Sequence, residues 1–210
     1  MQIQLFSLAL ALVVMLPACG EDPVATPAQD VIASGQDTQA GVTQPTFLAE
    51  GASSTTGDVS VTGSWLAESG HVKVEVVISN FADLFGIAGH LHYDPSVLQL
   101  TALQAYGVPL GKFKSTADYT PRAVAKEVPT GRILLGGARV VNAPSPFNAM
   151  EGVMVDKETW VTLEFAVLKQ TQTTIAFDPI TQVVKTGDFK EAPTDWGHLT
   201  IDWKVAGGQP

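Results

Sequence analysis

The residues best placed to do chemistry are His90 and His92, two apart within Gly86 to Leu100, GIAGHLHYDPSVLQL. On an extended backbone they project from one face at about 6–7 Å, a separation that could suit a metal ion. A third ligand would have to come from elsewhere, with Glu164 the candidate, so the pair does not define a metal site by itself. Catalysis needs a nucleophile with a base, and the sequence has no GxSxG elbow, no HExxH pair and no usable cysteine. Asp94 and Asp178 each precede a proline and read as turn formers. Scattered carboxylates in an acidic chain do not specify glycoside hydrolysis, and no DxDxDG-like calcium loop is present. The residues point to binding without catalysis, and to no metal held by the chain itself.

The elements that must position these residues are strands. Ile87, Gly89, Leu91 and Tyr93 fall on one face of an extended segment and Ala88, His90 and His92 on the other. Asp94-Pro95 stops the strand, because proline lacks the N–H for a ladder bond, and Val97, Leu98 and Leu100 return to the core. From Asp58 onward short alternating segments recur every 8 to 15 positions, the pattern of a β-sandwich or barrel. Asp58 to Leu66 opens the series. His71 to Asn80 follows with Val72, Val74, Val76 and Ile78 inward. Gln99 to Leu103 extends as a short strand, Tyr106 to Lys112 turns, and Arg122 to Val128 reads as an edge strand.

In Arg132 to Val141, Ile133 and Leu135 share one face and Arg132, Leu134 and Gly136 the other. Asn142 to Asn148 is a loop. Gly152 to Val155 and Thr159 to Leu168 are two further strands, the second with Val161, Leu163, Phe165 and Val167 inward and Trp160, Thr162 and Glu164 outward. Thr173 to Phe177, a polar excursion from Pro179 to Pro193 and a closing His198 to Val205 complete about nine strands.

A composition of 45% hydrophobic and 16% charged residues supports a real core, and a formal net charge of −9 excludes nucleic acid as a partner. Ile3 to Leu16 is an apolar run of about 14 residues, the length of an export signal and short of a membrane span. It ends in Leu16-Pro17-Ala18-Cys19-Gly20, which resembles the bacterial lipobox, although Met1 to Gln4 carry no Lys or Arg. Residues 1–18 are then a lipoprotein signal peptide and Cys19 the lipidated residue. As the one cysteine of the chain it cannot form an internal disulfide. Gly20 in place of aspartate after the cysteine implies the outer membrane or cell surface. Residues 19–57 read as a flexible tether charged only by Glu21, Asp22, Asp30, Asp37 and Glu50, with Phe47-Leu48 the one place that could dock as a preliminary strand. Residues 58–210 are the folded domain.

The strand at Gly86 with its Tyr93-Asp94-Pro95 turn resembles the third strand of bacterial cohesin domains. The resemblance extends through Gly131 to Leu135, Thr159 to Leu168 and Gly197 to Ile201, in the family's order and at similar spacing. It implies a nine-stranded jelly-roll β-sandwich that binds the calcium-loaded dockerin module of another protein; no cofactor of the chain's own is expected, and the partner is a route by which calcium could enter. The Asn142 to Met150 insert and the excursion after Pro179 depart from the family's short connections. Mapped onto the family's docking sheet, the partner-binding residues are His90, His92, Leu134, Gly136, Trp160, Thr162 and Glu164. The alternative is a carbohydrate-binding module on the same sandwich, with Trp160, Trp65 or Tyr106 stacking on sugar rings.

Overall fold

Apolar and polar residues alternate through most of the chain, and the structure, a computed structural model, is accordingly almost all strand. It describes residues 44–52, 55–105, 115–116, 118–142 and 151–203. The signal segment, Cys19, most of the tether, the Tyr106 to Lys112 turn, and residues 143–150 of the insert lie outside the described residues. The chain divides into two units, Met1–Thr38 and Gln39–Pro210, and every described element belongs to the second.

The strands are β1 (Pro45–Glu50), β2 (Asp58–Leu66), β3 (His71–His92), β4 (Leu98–Ala105), β5 (Tyr119–Glu127), β6 (Arg132–Val141), β7 (Val153–Val167), β8 (Thr173–Phe177), β9 (Val183–Thr186), β10 (Asp195–Trp196) and β11 (His198–Trp203). One layer runs β1–β11–β8–β3–β6–β5, with β9 joining β3 beside Gly86 to Ala88. The other runs β10–β2–β3–β7–β4. All pairs are antiparallel except β10 with β2. The inner faces meet in one core that joins Val72, Val74, Val76, Val161, Leu163 and Phe165 from the second layer to Ile87, Leu91, Ile133, Leu135, Leu199 and Ile201 from the first. The β-sandwich expected from the sequence is therefore the architecture found.

β3 belongs to both layers. Its first half pairs with β2 and β7, its second half with β6, β8 and β9. The strands expected at His71 to Asn80 and from Gly86 are one, bent where Asn80 takes a φ of 62°. Asn80 Nδ2 donates to Asp58 Oδ2 at 3.0 Å, and Ser79 Oγ to Asp58 Oδ1 at 2.6 Å, which ties the bend to β2. The two strands expected on either side of Lys157 are likewise one, β7. A domain start at Asp58 is corrected by β1, which pairs along its length with β11 and packs Phe47 against the core.

The turn after β3 forms as the sequence indicates. Asp94 Oδ1 accepts from the Ser96 backbone at 2.8 Å, and these hydrogen bonds to Ser96 hold its carboxyl below the usual range. Tyr93 donates its hydroxyl hydrogen to Glu127, whose Oε1 also accepts from Gly131 N at 3.1 Å. Burial, with that bond to Glu127, pushes the Tyr93 phenol up to about 12. Gly131, at φ +88°, has no room for a side chain: a Cβ there would lie 3.0 Å from Pro95 Cδ.

Trp160 corrects the sequence expectation. It was placed outward by strict alternation, but the register of β7 on β3 shifts between Val76 and Val77, from Val161 to Thr159, leaving Trp160 as the extra residue of a bulge. Both Trp160 and Val161 then turn inward, and Trp160 is 1% exposed. Its indole stacks on Phe177 of the facing layer, with ring centres 6.4 Å apart and planes 7° apart, and Phe177 meets Trp196 edge-on at 4.7 Å. Gly89 leaves the space this column occupies, since a Cβ there would sit 2.9 Å from Phe177 Cδ1. Truncating an indole this deeply buried should cost about 3–5 kcal/mol. Trp160→Ala is expected to lose that much in chemical denaturation; a change below about 1 kcal/mol would contradict the inward placement.

Candidate functional site

The outward residues of the first layer line up in cross-strand rows fixed by register. Arg122, Ala138, Gly86 and Lys185 form one row across β5, β6, β3 and β9. Val124, Gly136, Ala88 and Val183 form the next, then Lys126, Leu134 and His90, and finally Arg132 and His92. Cross-strand neighbours share a face, so these rows are one surface. Its floor is Gly86, Ala88, Gly136 and Ala138, and it holds a shallow groove of about 380 Å³ walled by Val124, Val183 and the stems of Arg122 and Lys185. The floor is low because its residues are small. A Cβ at Gly136 would come within 3.0 Å of Val124 Cγ1, so a larger residue there would push Val124 aside. Val124 and Val183 are each 39% exposed, and Ile180, on the 3-10 turn Pro179–Thr181 at the β3 edge, is 92% exposed.

That turn closes the β3 edge between β8 and β9. Asp178 N donates to His90 O at 2.9 Å, and His90 N donates to Thr181 Oγ1 at 3.0 Å. The Asp178 carboxylate caps the turn, accepting from Ile180 N at 3.0 Å. It also lies 3.6 Å from Arg132 Nη2 and 3.7 Å from His92 Nε2. Arg132 Nη2 sits 3.0 Å from His90 Nδ1, and because guanidinium only donates, that ring nitrogen accepts and the His90 proton rests on Nε2. Burial first, then the Arg132 charge, hold His90 below its ordinary value of 6.5, against a smaller pull upward from Asp178.

The outer face of the second layer is different in kind. Its register rows are Ser60, Val77 and Thr159; Thr62, Glu75, Thr162 and Gln104; and Ser64, Lys73, Glu164 and Ala102. Lys73 Nζ and Glu75 Oε1 pair at 3.0 Å. This is a hydroxylated, charged surface.

The seven residues expected to bind a partner are therefore divided. His90, His92, Leu134 and Gly136 come together on the first layer. Thr162 and Glu164 sit on the outer face of the second, across the core, and Trp160 lies inside it. The sequence mapping assigned β7 to the docking sheet, but β7 pairs with the first half of β3, and β8 and β9 take the place beside its second half. Glu164 is accordingly not a third ligand for the two imidazoles, and no cluster of three metal-ligating side chains occurs among the described residues. Missed from sequence were Val124, Ala138, Val183, Arg122 and Lys185. Of these, Arg122 and Val124 carried a signal in the alternation Arg122-Ala123-Val124-Ala125-Lys126.

Of the aromatics considered for sugar stacking, Trp160 is buried, Trp65 packs edge-on against Trp203 with ring centres 5.5 Å apart, and Tyr106 lies outside the described residues. Among the described residues, Phe189 is the one aromatic side chain left largely exposed.

Comparison with solved structures places this fold beside cohesin modules. CaCohA2 from Clostridium acetobutylicum, solved in solution, is 18% identical, with a TM-score of 0.50 over 73% of this chain and 93% of that one. A cohesin module from a family 33 glycoside hydrolase of Clostridium perfringens is 11% identical, with a TM-score of 0.49 over 71% and 97%. The sixth cohesin of scaffoldin B from Acetivibrio cellulolyticus, solved in complex with a Cel5 dockerin mutant, is 10% identical, with a TM-score of 0.40 over 60% and 84%. No family model and no curated protein matches the chain. At such identities the likeness shows the fold, a cohesin-like sandwich.

The His90 geometry has a pH signature. With its folded value below the unfolded one, the unfolded chain takes up the proton first, so the contribution of His90 to stability is complete above about pH 6.5 and is lost as pH falls below it. Between about pH 7.5 and 5.5 the wild-type chain is expected to lose more stability than His90→Gln in parallel denaturant titrations. Equal losses would contradict the assigned His90–Arg132 contact.

Proposed function

We propose that this chain is an exported, lipid-anchored and non-catalytic adaptor that holds a dockerin or similar protein module against the outer face of β5, β6, β3 and β9. The observation that carries this reading is the groove on that face: a Gly/Ala floor walled by exposed Val124 and Val183, with Ile180 exposed on the turn at the β3 edge, set opposite a hydroxylated and charged outer face. A contiguous apolar surface rimmed by polar groups is what protein interfaces expose before they close. The sequence resemblance to cohesins supports a dockerin-type occupant, with calcium carried by that partner. A sugar-binding platform needs coplanar exposed aromatics, and the described residues do not supply them.

The anchor is Cys19. The apolar run before it and the Leu-Pro-Ala-Cys spacing support diacylglyceryl attachment at its sulfur, and two or more acyl chains suffice for durable membrane binding. Gly20 after the cysteine supports the outer membrane or cell surface. The acidic segment that follows supplies reach between lipid and domain.

Extract of the source organism passed over the immobilised, detergent-solubilised full chain tests the docking reading. A protein retained in calcium and released by chelator is expected, with retention at least tenfold lower on Ala88→Arg and unchanged on Thr62→Arg, which alters the opposite face. Retention indifferent to Ala88→Arg, or retention of glycan alone, would overturn it. Growth with an alkyne-tagged fatty acid is expected to label the wild-type chain and not Cys19→Ser; no difference between the two would remove the anchor.

A further inference from the structure

The charge on the docking face runs against that of the chain. The sequence carries a formal net charge of −9, yet all three of its arginines lie on β5 and β6, and the outward rows of the first layer hold Arg122, Lys126, Arg132 and Lys185. Two of these four are already engaged: Lys185 Nζ pairs with Glu191 at 3.2 Å and Arg132 Nη2 with Asp178 at 3.6 Å. Arg122 and Lys126 are exposed, and among the described residues no carboxylate lies within ion-pair distance of either. They stand four residues apart on β5 with Val124 between them, so their origins are about 13 Å apart at the rise of a strand. Across from this cation–valine–cation line lies the Gly136–Ala138 floor, which lets another backbone come close.

Resting on the docking reading above, we infer that the occupant of this face is an acidic polypeptide segment. It lays a small-residue apolar ridge on Gly136, Ala88 and Val124 and brings carboxylates to Arg122 and Lys126. On a helix, residues seven apart return to the same side about 10.5 Å along the axis, a gap that long Arg and Lys side chains can close, so the matching segment is an amphipathic helix with acidic residues about two turns apart beside an Ala/Leu ridge. Charge complementarity of this kind selects the partner and speeds encounter more than it adds affinity, and it weakens with salt. A phosphate-bearing surface fits less well, because Arg122 and Lys126, unpaired with any carboxylate among the described residues, are separated by an apolar strip instead of being clustered.

The test uses two synthetic 20-residue helical peptides that share one Ala/Leu ridge. One carries Glu, the other Lys, at two positions seven residues apart on one side of it. Each is titrated into the isotope-labelled full chain in detergent and followed by backbone amide shifts. The Glu peptide is expected to bind at least tenfold more tightly than the Lys peptide, shifting residues of β5, β6 and β3. Arg122→Glu/Lys126→Glu is expected to reverse the order. Equal binding of both peptides that is lost in Ala88→Arg would overturn the acidic preference and leave the groove as a protein-docking face. No shift on this face with either peptide would overturn the acidic preference and count against the docking reading as well. Vesicles containing phosphatidylglycerol that shift the same residues while the Glu peptide does not would overturn it in favour of a membrane surface.

Discussion

The sandwich depends on β3 being a single strand that serves both layers. Its 22 residues cross from a first half that pairs with β2 and β7 to a second half that pairs with β6, β8 and β9, and the change of sheet begins at a bend at Asn80 and is complete at Gly86, where pairing with β6 starts. That bend requires a backbone conformation most side chains avoid, and Asn80 adopts it with its amide held by Asp58. Everything that positions the docking face follows from this. Where the strand turns sets which residues of β3 face β6, and the alternation of Ile87, Gly89 and Leu91 then sets Ala88, His90 and His92 outward. The aromatic column of Trp160, Phe177 and Trp196 locks the second half against the first layer's neighbour β8 and against β7 across the core.

The two outer faces of the same sandwich have diverged because their residues solve different problems. The second layer's outer rows are mostly Ser, Thr, Glu, Lys and Gln, and several of these polar groups are bonded within the sheet, Thr62 Oγ1 to Glu75 O and Lys73 to Glu75 among them. The first layer's outer rows are Gly, Ala and Val at their centre, with Arg122 and Lys126 on β5 and the ion-paired Lys185 and Arg132 around them. Water gains nothing from the apolar part, and burying it against another surface is favourable by roughly 25 cal/mol per Å². The small residues matter geometrically as well as energetically, since a Cβ at Gly136 would meet Val124 Cγ1 at 3.0 Å and fill part of the floor. At the edge of the groove Asp178 joins the turn after β8 to Arg132 and lies near His92, so the rim keeps its shape through charged contacts while its centre stays apolar.

Much of this was legible in the sequence where period-2 alternation is strict. The inward faces of β3 and β6 follow from their valines, isoleucines and leucines, and the Tyr93-Asp94-Pro95 turn is readable because each residue acts on its nearest neighbours. What failed was non-local. A bulge adds one residue to β7 without changing composition, so alternation carried through Trp160 gives the wrong face for that residue. Sheet membership is set by pairing partners far away in sequence, so Thr162 and Glu164 were joined to histidines that lie across the core. Pro45–Glu50 reads as tether by composition apart from Phe47-Leu48, and its full length in the sheet comes from ladder bonds to β11 that the rest of its residue types do not announce.

The central claim is that the face of β5, β6, β3 and β9 receives another protein. A photo-activatable amino acid placed in turn at Val124, at the groove, and at Ser64, on the opposite face, reports contact directly in intact cells of the source organism. The account predicts covalent protein adducts from position 124 and none from position 64. Adducts from position 64 with none from position 124 would contradict it.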